Sequence, residues 1–587
     1  MSASDTGDRP AGGVQVARVL EHYGVPFLFT LCGGHISPIL VEAERHGVRV
    51  IDVRDERNAV FAADAVARLT GIPGVAAVTA GPGVTNSITA VKNAQMAESP
   101  VLVLGGATAT VLKGRGSLQD IDQQALMAPH VKWQTSVRKV RDLGPAVEEA
   151  LWRAMQGVPG PVFVECPVDL LYAEETVAKM FSASIKGRSV AARAIRGYLS
   201  WHRRRMFAGA DKASGKLREL PSGKRATKRQ LVAVRRRILK SQRPVLLIGS
   251  GAMAEVENAS QLGKAVRALN IPTYCSGMAR GLLGPADLRL FRHRRRDALK
   301  QADLVILAGV VCDFRLDYGR QISSDATVIS IHRSAERARE NRKPQQVIEA
   351  DPGRTLVELG LQVGWREGEE QSEQWYSQLR EREMQREQQI DEQASQGTAE
   401  GINPLALFRA LDPQLDLDSV IVADGGDFVG TASYTLRPRS PLSWLDPGAF
   451  GTLGVGGGFA LGAKLVRPES EVWLIWGDGS SAFSLAEFDS YRRHGLGVIA
   501  VVGNDASWAQ IAREQVEILG DDLATSLRRT KYHQVAQGYG GEGLLVTETE
   551  ELLPALSQAK AWAAEGRAVL VNVQLASSDF RKGSISL

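Results

Sequence analysis

Short apolar runs alternate with amphipathic stretches along most of the chain. Runs at 27–31, 48–53, 74–79, 101–104 and 162–166 are rich in Val, Leu, Ile and Phe and are bounded by Gly, Pro or charged residues, while stretches such as 57–69 repeat apolar positions at helical spacing. A continuous apolar run has no polar face to turn to water, so it reads as a strand covered on both sides. Strands separated by helices make parallel sheets with helices on both faces. The same rhythm returns at 244–249, 304–308 and 328–331, and again at 419–423, 471–476, 497–502 and 569–573. It predicts an α/β chain of three doubly wound parallel-sheet domains, 14–180, 190–365 and 401–587. Residues 366–400, rich in Glu, Gln and Arg, form a charged, solvated helical linker. No run reaches the ~20 apolar residues of a membrane span. The start, MSASDTGDRPAGG, has no apolar signal core, so a soluble, cytoplasmic protein is expected.

Candidate chemistry sits where apolar runs end. Gly477-Asp478-Gly479 closes the run 471–476 and Asn504-Asp505 closes 497–502, with the amphipathic stretch 484–494 between them. A right-handed βαβ unit puts both acids at the carboxyl ends of parallel strands, where open α/β sheets bind ligands. Mg²⁺ favours oxygen ligands and keeps substrate phosphates as partners, so two carboxylates and a glycine turn suit a metal-bound diphosphate. Gly477 and Gly479 admit a phosphate close to the backbone, and Ser480 adds a hydroxyl at a helix entry. The tripeptide alone reads first as a strand-to-helix turn, and the spacing to Asp505 is what turns that reading toward a site. Upstream, Asp55-Glu56 and Gly81-Pro82-Gly83-Val84-Thr85-Asn86 end two further runs, and Asp424-Gly425-Gly426-Asp427-Phe428 and Gly451-Thr452-Leu453-Gly454 are glycine loops in the last domain.

In this order, and with 27 residues from Asp478 to Asp505, these segments resemble the thiamine diphosphate (ThDP) superfamily of decarboxylases and acetolactate synthases. The resemblance implies that the three domains are a pyrimidine-binding (PYR), a central and a diphosphate-binding (PP) domain. It implies Asp478, Asp505 and the Ser507 carbonyl as Mg²⁺ ligands, with Asn504 the alternative if the correspondence shifts by one. Most members carry Asn at the position of Asp505; the extra carboxylate leads us to expect tighter metal dependence. Gly477, Gly479, Ser480 and Trp508 on one side and Gly426, Asp427 and Phe428 on the other would hold the cofactor. The Gly451 carbonyl and Leu453 N–H would meet the aminopyrimidine, and the Leu453 side chain would prop its two rings into a V. Pro82 and Asn86 complete the set, beside Glu56. A carboxylic acid on the ring N1′ favours the imino tautomer, whose 4′ nitrogen can take the thiazolium C2 proton, and this is the role implied for Glu56.

Along 14–587 the chain further resembles the 2-hydroxyacyl-CoA lyase subgroup, once called acetolactate synthase-like proteins. The segments that carry it include Leu31-Cys32-Gly33-Gly34-His35-Ile36-Ser37-Pro38, Gly277-Met278-Ala279-Arg280-Gly281, Trp444-Leu445-Asp446-Pro447-Gly448 and Ser578-Asp579-Phe580-Arg581-Lys582-Gly583-Ser584-Ile585. It implies cleavage of a 2-hydroxyacyl-CoA to an aldehyde or ketone and formyl-CoA, reversible as an acyloin condensation, with no redox cofactor. Gln119 or His35 would handle the 2-hydroxyl proton, and Arg581 and Lys582 would close over CoA or form an ordinary tail. The family's central domain binds FAD or ADP or has no chemistry. ADP or another nucleotide is expected here ahead of FAD, and Gly249-Ser250-Gly251-Ala252 is a tight turn or a phosphate loop. A homodimer is the implied minimum and a homotetramer the expected assembly. Vertebrate members carry an amino-terminal membrane segment; none is evident here, which implies a soluble, bacterial version. The alternative is an acetolactate synthase-type carboligase or 2-oxo acid decarboxylase.

Charge adds one more feature. The net charge is +5, and residues 186–240 hold 18 Lys or Arg against Asp211 and Glu219, with a further run at Arg292-His293-Arg294-Arg295-Arg296. This is a solvated basic face or a site for the phosphates of acyl-CoA; no nucleic-acid-binding fold is evident. Cys32, Cys166, Cys275 and Cys312 have no paired spacing, so neither zinc nor disulfides are expected.

Overall fold

A computed structural model describes residues 11–183, 185, 189–211, 217–361 and 370–582. Eighteen strands form three six-stranded, all-parallel sheets. The first has β1 (Phe27–Thr30), β2 (Arg49–Asp52), β3 (Gly74–Val78), β4 (Val101–Ala107), β5 (Trp133–Ser136) and β6 (Val162–Pro167) in the order β2-β1-β3-β4-β6-β5. The second has β7 (Pro244–Ile248), β8 (Thr273–Cys275), β9 (Leu290–Phe291), β10 (Leu304–Ala308), β11 (Thr327–His332) and β12 (Gln346–Glu349), ordered β12-β11-β10-β7-β8-β9. The third, β13 (Val420–Ala423), β14 (Trp444–Leu445), β15 (Val472–Gly477), β16 (Val498–Asn504), β17 (Glu542–Val546) and β18 (Val569–Gln574), runs β14-β13-β15-β16-β18-β17. The first and third sheets thus share one connectivity, and the second has the dinucleotide-fold order 3-2-1-4-5-6. The chain separates into two compact units. One carries the first sheet up to residue 222, apart from 68–71; the other carries the second and third sheets.

Fully buried strands such as β3, β4, β10 and β16 are the ones legible as apolar runs. The strands absent from that reading, β5, β8, β9, β12, β14 and β17, are short or lie at sheet edges, where half-exposed positions interrupt the run. The stretch 484–494 is not one helix from its start: a turn at Asp478–Ser481 precedes a helix at Glu487–His494. The linker helix spans Glu370–Ala394 and is docked rather than wholly solvated, with Trp375, Leu379 and Ile390 buried and Trp375 Nε1 donating to the Pro244 carbonyl at 3.1 Å. The loop after β7 is a close backbone approach. A Cβ on Gly249 would lie 2.4 Å from the Gly309 carbonyl oxygen, and Gly309, at φ +65°, would meet the Ala252 nitrogen at 2.4 Å. That packing accounts for the glycines without a phosphate.

The start 1–10, Lys186, Arg188, Lys212 and Lys216 of the basic segment, 366–369 of the linker and Gly583, Ser584 and Ile585 lie outside the described residues. Among the described residues no helix is long and apolar enough to cross a membrane, and all four cysteines are free.

Candidate active site

In the unit carrying the first sheet, predicted residues converge at the carboxyl ends of β1 to β4. Glu56 opens the helix Glu56–Thr70 and is buried. Asn86, on the helix Pro82–Met96 that Pro82 begins, donates from Nδ2 to Glu56 Oε2 at 2.7 Å. Gly81, at φ +61°, makes the turn into that helix, and a Cβ there would sit 2.7 Å from the Gln119 carbonyl oxygen. Gln119 itself has φ +63°. His35 meets Thr79 through Nδ1 at 3.2 Å, and burial holds its imidazole below the ordinary value. Thr79, which sequence reasoning passed over, touches three of these segments: it also packs against the places a Cβ would occupy on Gly33 and Gly83. Glu165, equally unforeseen, is a buried carboxylate within β6. It accepts from Ser136 Oγ at 2.6 Å, from Gln123 Nε2 at 3.1 Å and from Lys113 Nζ, while Gln123 Oε1 accepts the Gly81 N–H at 2.9 Å. It therefore ties both ends of the Gln119 loop to the Gly81 turn.

In the other unit the last residue of β15 leads into Asp478, and β16 ends at Asn504 beside Asp505. Asp478 Oδ1 takes the Gly479 N–H at 2.7 Å, and its Oδ2 is buried with no hydrogen-bond partner among the described residues. Asp505 Oδ1 accepts the Ser507 N–H at 3.2 Å. Burial raises Asp478 to about 6, and burial followed by the Asp478 charge raises Asp505 to about 7. Asn504, the alternative ligand, donates from Nδ2 to the Thr530 carbonyl and to Asn572 Oδ1, each at 3.1 Å, and its Oδ1 is buried with no hydrogen-bond partner among the described residues. The Trp508 indole covers Gly479, where a Cβ would come within 2.4 Å of the ring. Ser480 Oγ turns back to Gly477, accepting its N–H at 3.1 Å.

Across from this turn, Gly426 has φ +108° and Asp427 pairs with Arg513 at 2.7 Å. The Phe428 ring is spent in the core, stacked 4.7 Å from Phe408, which leaves its main chain for a ligand. Gly451 has φ +62°, and Leu453 Cδ2 lies 2.5 Å from where a Gly425 Cβ would stand. Asp424 joins the two loops. It accepts from Gly454 N–H (2.8 Å), Gly456 N–H (2.7 Å), Gly425 N–H (2.7 Å) and Trp476 Nε1 (3.0 Å), while complete burial pushes its carboxyl up to about 6.

Residues 11–126, 231–359 and 424–573 match the N-terminal TPP binding, central and C-terminal TPP binding domains of the thiamine pyrophosphate enzymes. The chain is 50% identical to 2-hydroxyacyl-CoA lyase 2 of Danio rerio over 98% of its length and 93% of that protein. The chain belongs to the thiamine diphosphate enzymes, in their 2-hydroxyacyl-CoA lyase subgroup. The human 2-hydroxyacyl-CoA lyase 2 is 46% identical over 98% of this chain and 92% of its own. The acetolactate synthase large subunit IlvG of Mycobacterium tuberculosis is more distant, at 33% over 96% and 95%.

A ThDP enzyme must hold a divalent cation and a diphosphate, and the residues present fit both. The orphaned, buried Asp478 oxygen beside a second carboxylate is what a hard cation satisfies. Gly426 and Gly451, at positive φ, and the uncovered turn of Gly477 leave backbone open to a ligand. Bordering Asp424 and Gly426 lies a cavity of about 1150 Å³. Nine arginines line it, among them Arg280, Arg292, Arg295, Arg386 and Arg581, against the acids Asp297, Asp424 and Asp446. Arg280 stacks over Trp444 at 4.9 Å and Arg581 over Tyr434 at 5.0 Å, and Arg292 is braced by Glu387. Burial holds Arg280, Arg292 and Arg295 below the ordinary guanidinium value. Sequence reasoning marked Arg292–Arg296 and Arg581 separately; only folding brings them to one wall.

Proposed function

We propose that this chain is a ThDP- and Mg²⁺-dependent lyase. It cleaves the C1–C2 bond of a 2-hydroxyacyl-CoA to an aldehyde or ketone and formyl-CoA, and runs in reverse as a condensation. The observation that carries the CoA part is the arginine-lined cavity bordering the Asp424–Gly426 loop: several guanidiniums in one recess suit the phosphates of a CoA far better than a small 2-oxo acid. ThDP, when bound, supplies a carbon nucleophile and an electron sink. Asp478, Asp505 and the Ser507 carbonyl would hold the cation, and Gly426, Asp427, Gly477, Gly479 and Ser480 the diphosphate. Glu56, oriented by Asn86, would keep a proton at the aminopyrimidine ring. Gln119 or neutral His35 would handle the proton of the substrate 2-hydroxyl, His35 as a base and Gln119 only as a hydrogen-bond partner that orients the hydroxyl, and loss of that proton drives the cleavage.

A homodimer is the minimum of this reading, with Glu56 and Asp478 contributed by neighbouring subunits, and a tetramer its expected assembly. Exposed Ile518 and Leu519 at the end of the helix Ala509–Leu519, and Leu523 after it, support it, as large apolar side chains at a free surface mark an interface. Purified protein with ThDP, Mg²⁺ and a 2-hydroxyacyl-CoA should release formyl-CoA and aldehyde, and Glu56→Gln should release neither. Acetolactate from pyruvate, with no formyl-CoA, would replace this reading with the synthase.

A further inference from the structure

The helix Val190–Met206 has an inner and an outer half of different chemistry. Inward, Ala192 and Met206 are buried, His202 Nε2 lies 2.7 Å from Thr110 Oγ1, and Arg203 pairs with Glu174 at 3.3 Å. Outward, Val190 is 76%, Ile195 50%, Tyr198 50% and Trp201 55% exposed. At 100° per residue, Val190, Ala194, Tyr198 and Trp201 share one strip, Arg193 and Arg204 border it, and Arg205 stacks over Trp201 at 5.6 Å. A surface helix that only needed solubility would not turn a tryptophan, a tyrosine and two β-branched residues to water.

We propose that this outer face docks on an anionic lipid surface. Aromatic and aliphatic side chains bury into the headgroup boundary, Trp and Tyr favour that depth, and flanking guanidiniums pair with lipid phosphates. The arginines decide the occupant. Residues 190–206 contain no Asp or Glu, so the same helix of a second copy would meet this face with like charge and offer no carboxylate.

The test uses the full chain and vesicles of phosphatidylcholine with or without phosphatidylglycerol, followed by co-sedimentation and by tryptophan emission against a Trp201→Phe control. The expected result is retention on the anionic vesicles alone, reversed by high salt, with a blue shift that Trp201→Phe removes. Replacing Arg193, Arg204 and Arg205 by Gln should lower partitioning at least about tenfold, and Trp201→Ser should lower it while circular dichroism and oligomeric size stay unchanged. Retention equal on both vesicle types, no retention, or retention indifferent to both variants overturns the proposal. So does a change of oligomeric size in Trp201→Ser without an effect on vesicles, which assigns the face to a second copy.

Discussion

Glu165 shows how much a single buried carboxylate can organise. Its ring of donors spans the loop that carries Gln119 and, through Gln123, the N–H of Gly81. Glu165→Gln retains the volume but loses the Lys113 charge partner and one acceptor. The Gln119 loop should loosen: trypsin should cut at Lys113 and Arg115 faster than in wild type, and kcat/KM should fall about tenfold or more, since misplacing a substrate-facing group by an ångström has that scale of cost. Unchanged proteolysis would remove Glu165 from this role. His35 carries a pH signature. Its folded-state value lies below the ordinary 6.5, so the folded chain favours the neutral ring; the stability this contributes is present above pH 6.5 and is lost as pH falls through the lowered value. Wild-type thermal stability should decline on the acid side of 6.5 more steeply than that of His35→Gln, read as Tm across a pH series. None of Thr79, Gln123 and Glu165 was visible in the sequence. Each acts through a partner more than 40 residues away, and no local spacing marks such a pair.

At the level of elements, the strand ends supply the chemistry and the helix behind them supplies a surface. The helix Ala509–Leu519 has no buried residue, and Ile518 and Leu519 are each 72% exposed. Isolated in water such a face is costly, whereas covered by a neighbouring subunit it contributes apolar burial at roughly 25 cal/mol per Å². Ile518→Glu with Leu519→Glu should shift the assembly toward monomer by light scattering, with activity lost in proportion. A monomeric variant with full turnover would sink the shared-site reading.

For the molecule as a whole, ligand linkage is the simplest readout. A cofactor that binds only the folded assembly stabilises it by about 2.7 kcal/mol at roughly a hundred times Kd. ThDP with Mg²⁺ should therefore raise Tm by several degrees, and EDTA should reverse the shift. Asp478→Ala should abolish the shift while leaving the unliganded Tm unchanged or higher, because it deletes a buried carboxylate whose Oδ2 has no partner among the described residues.

Three parallel sheets, their order along the chain, and the placement of Asp478, Asp505, Gly81 and Gly426 at strand ends were all legible before folding. Fully buried strands must be written as apolar runs, and glycine and acid clusters must stand where those runs stop. Only the tertiary structure decided which residues meet. It joined Glu56 to Asn86, tied the Asn504 amide to Asn572, and put the Phe428 ring into the core. It also gathered arginines from 280 to 581 around one cavity, although the basic cluster plainest in the sequence lies at 186–240. Local patterning encodes burial and turn geometry, which depend on near neighbours, whereas a site's electrostatics depend on distant segments brought together by packing.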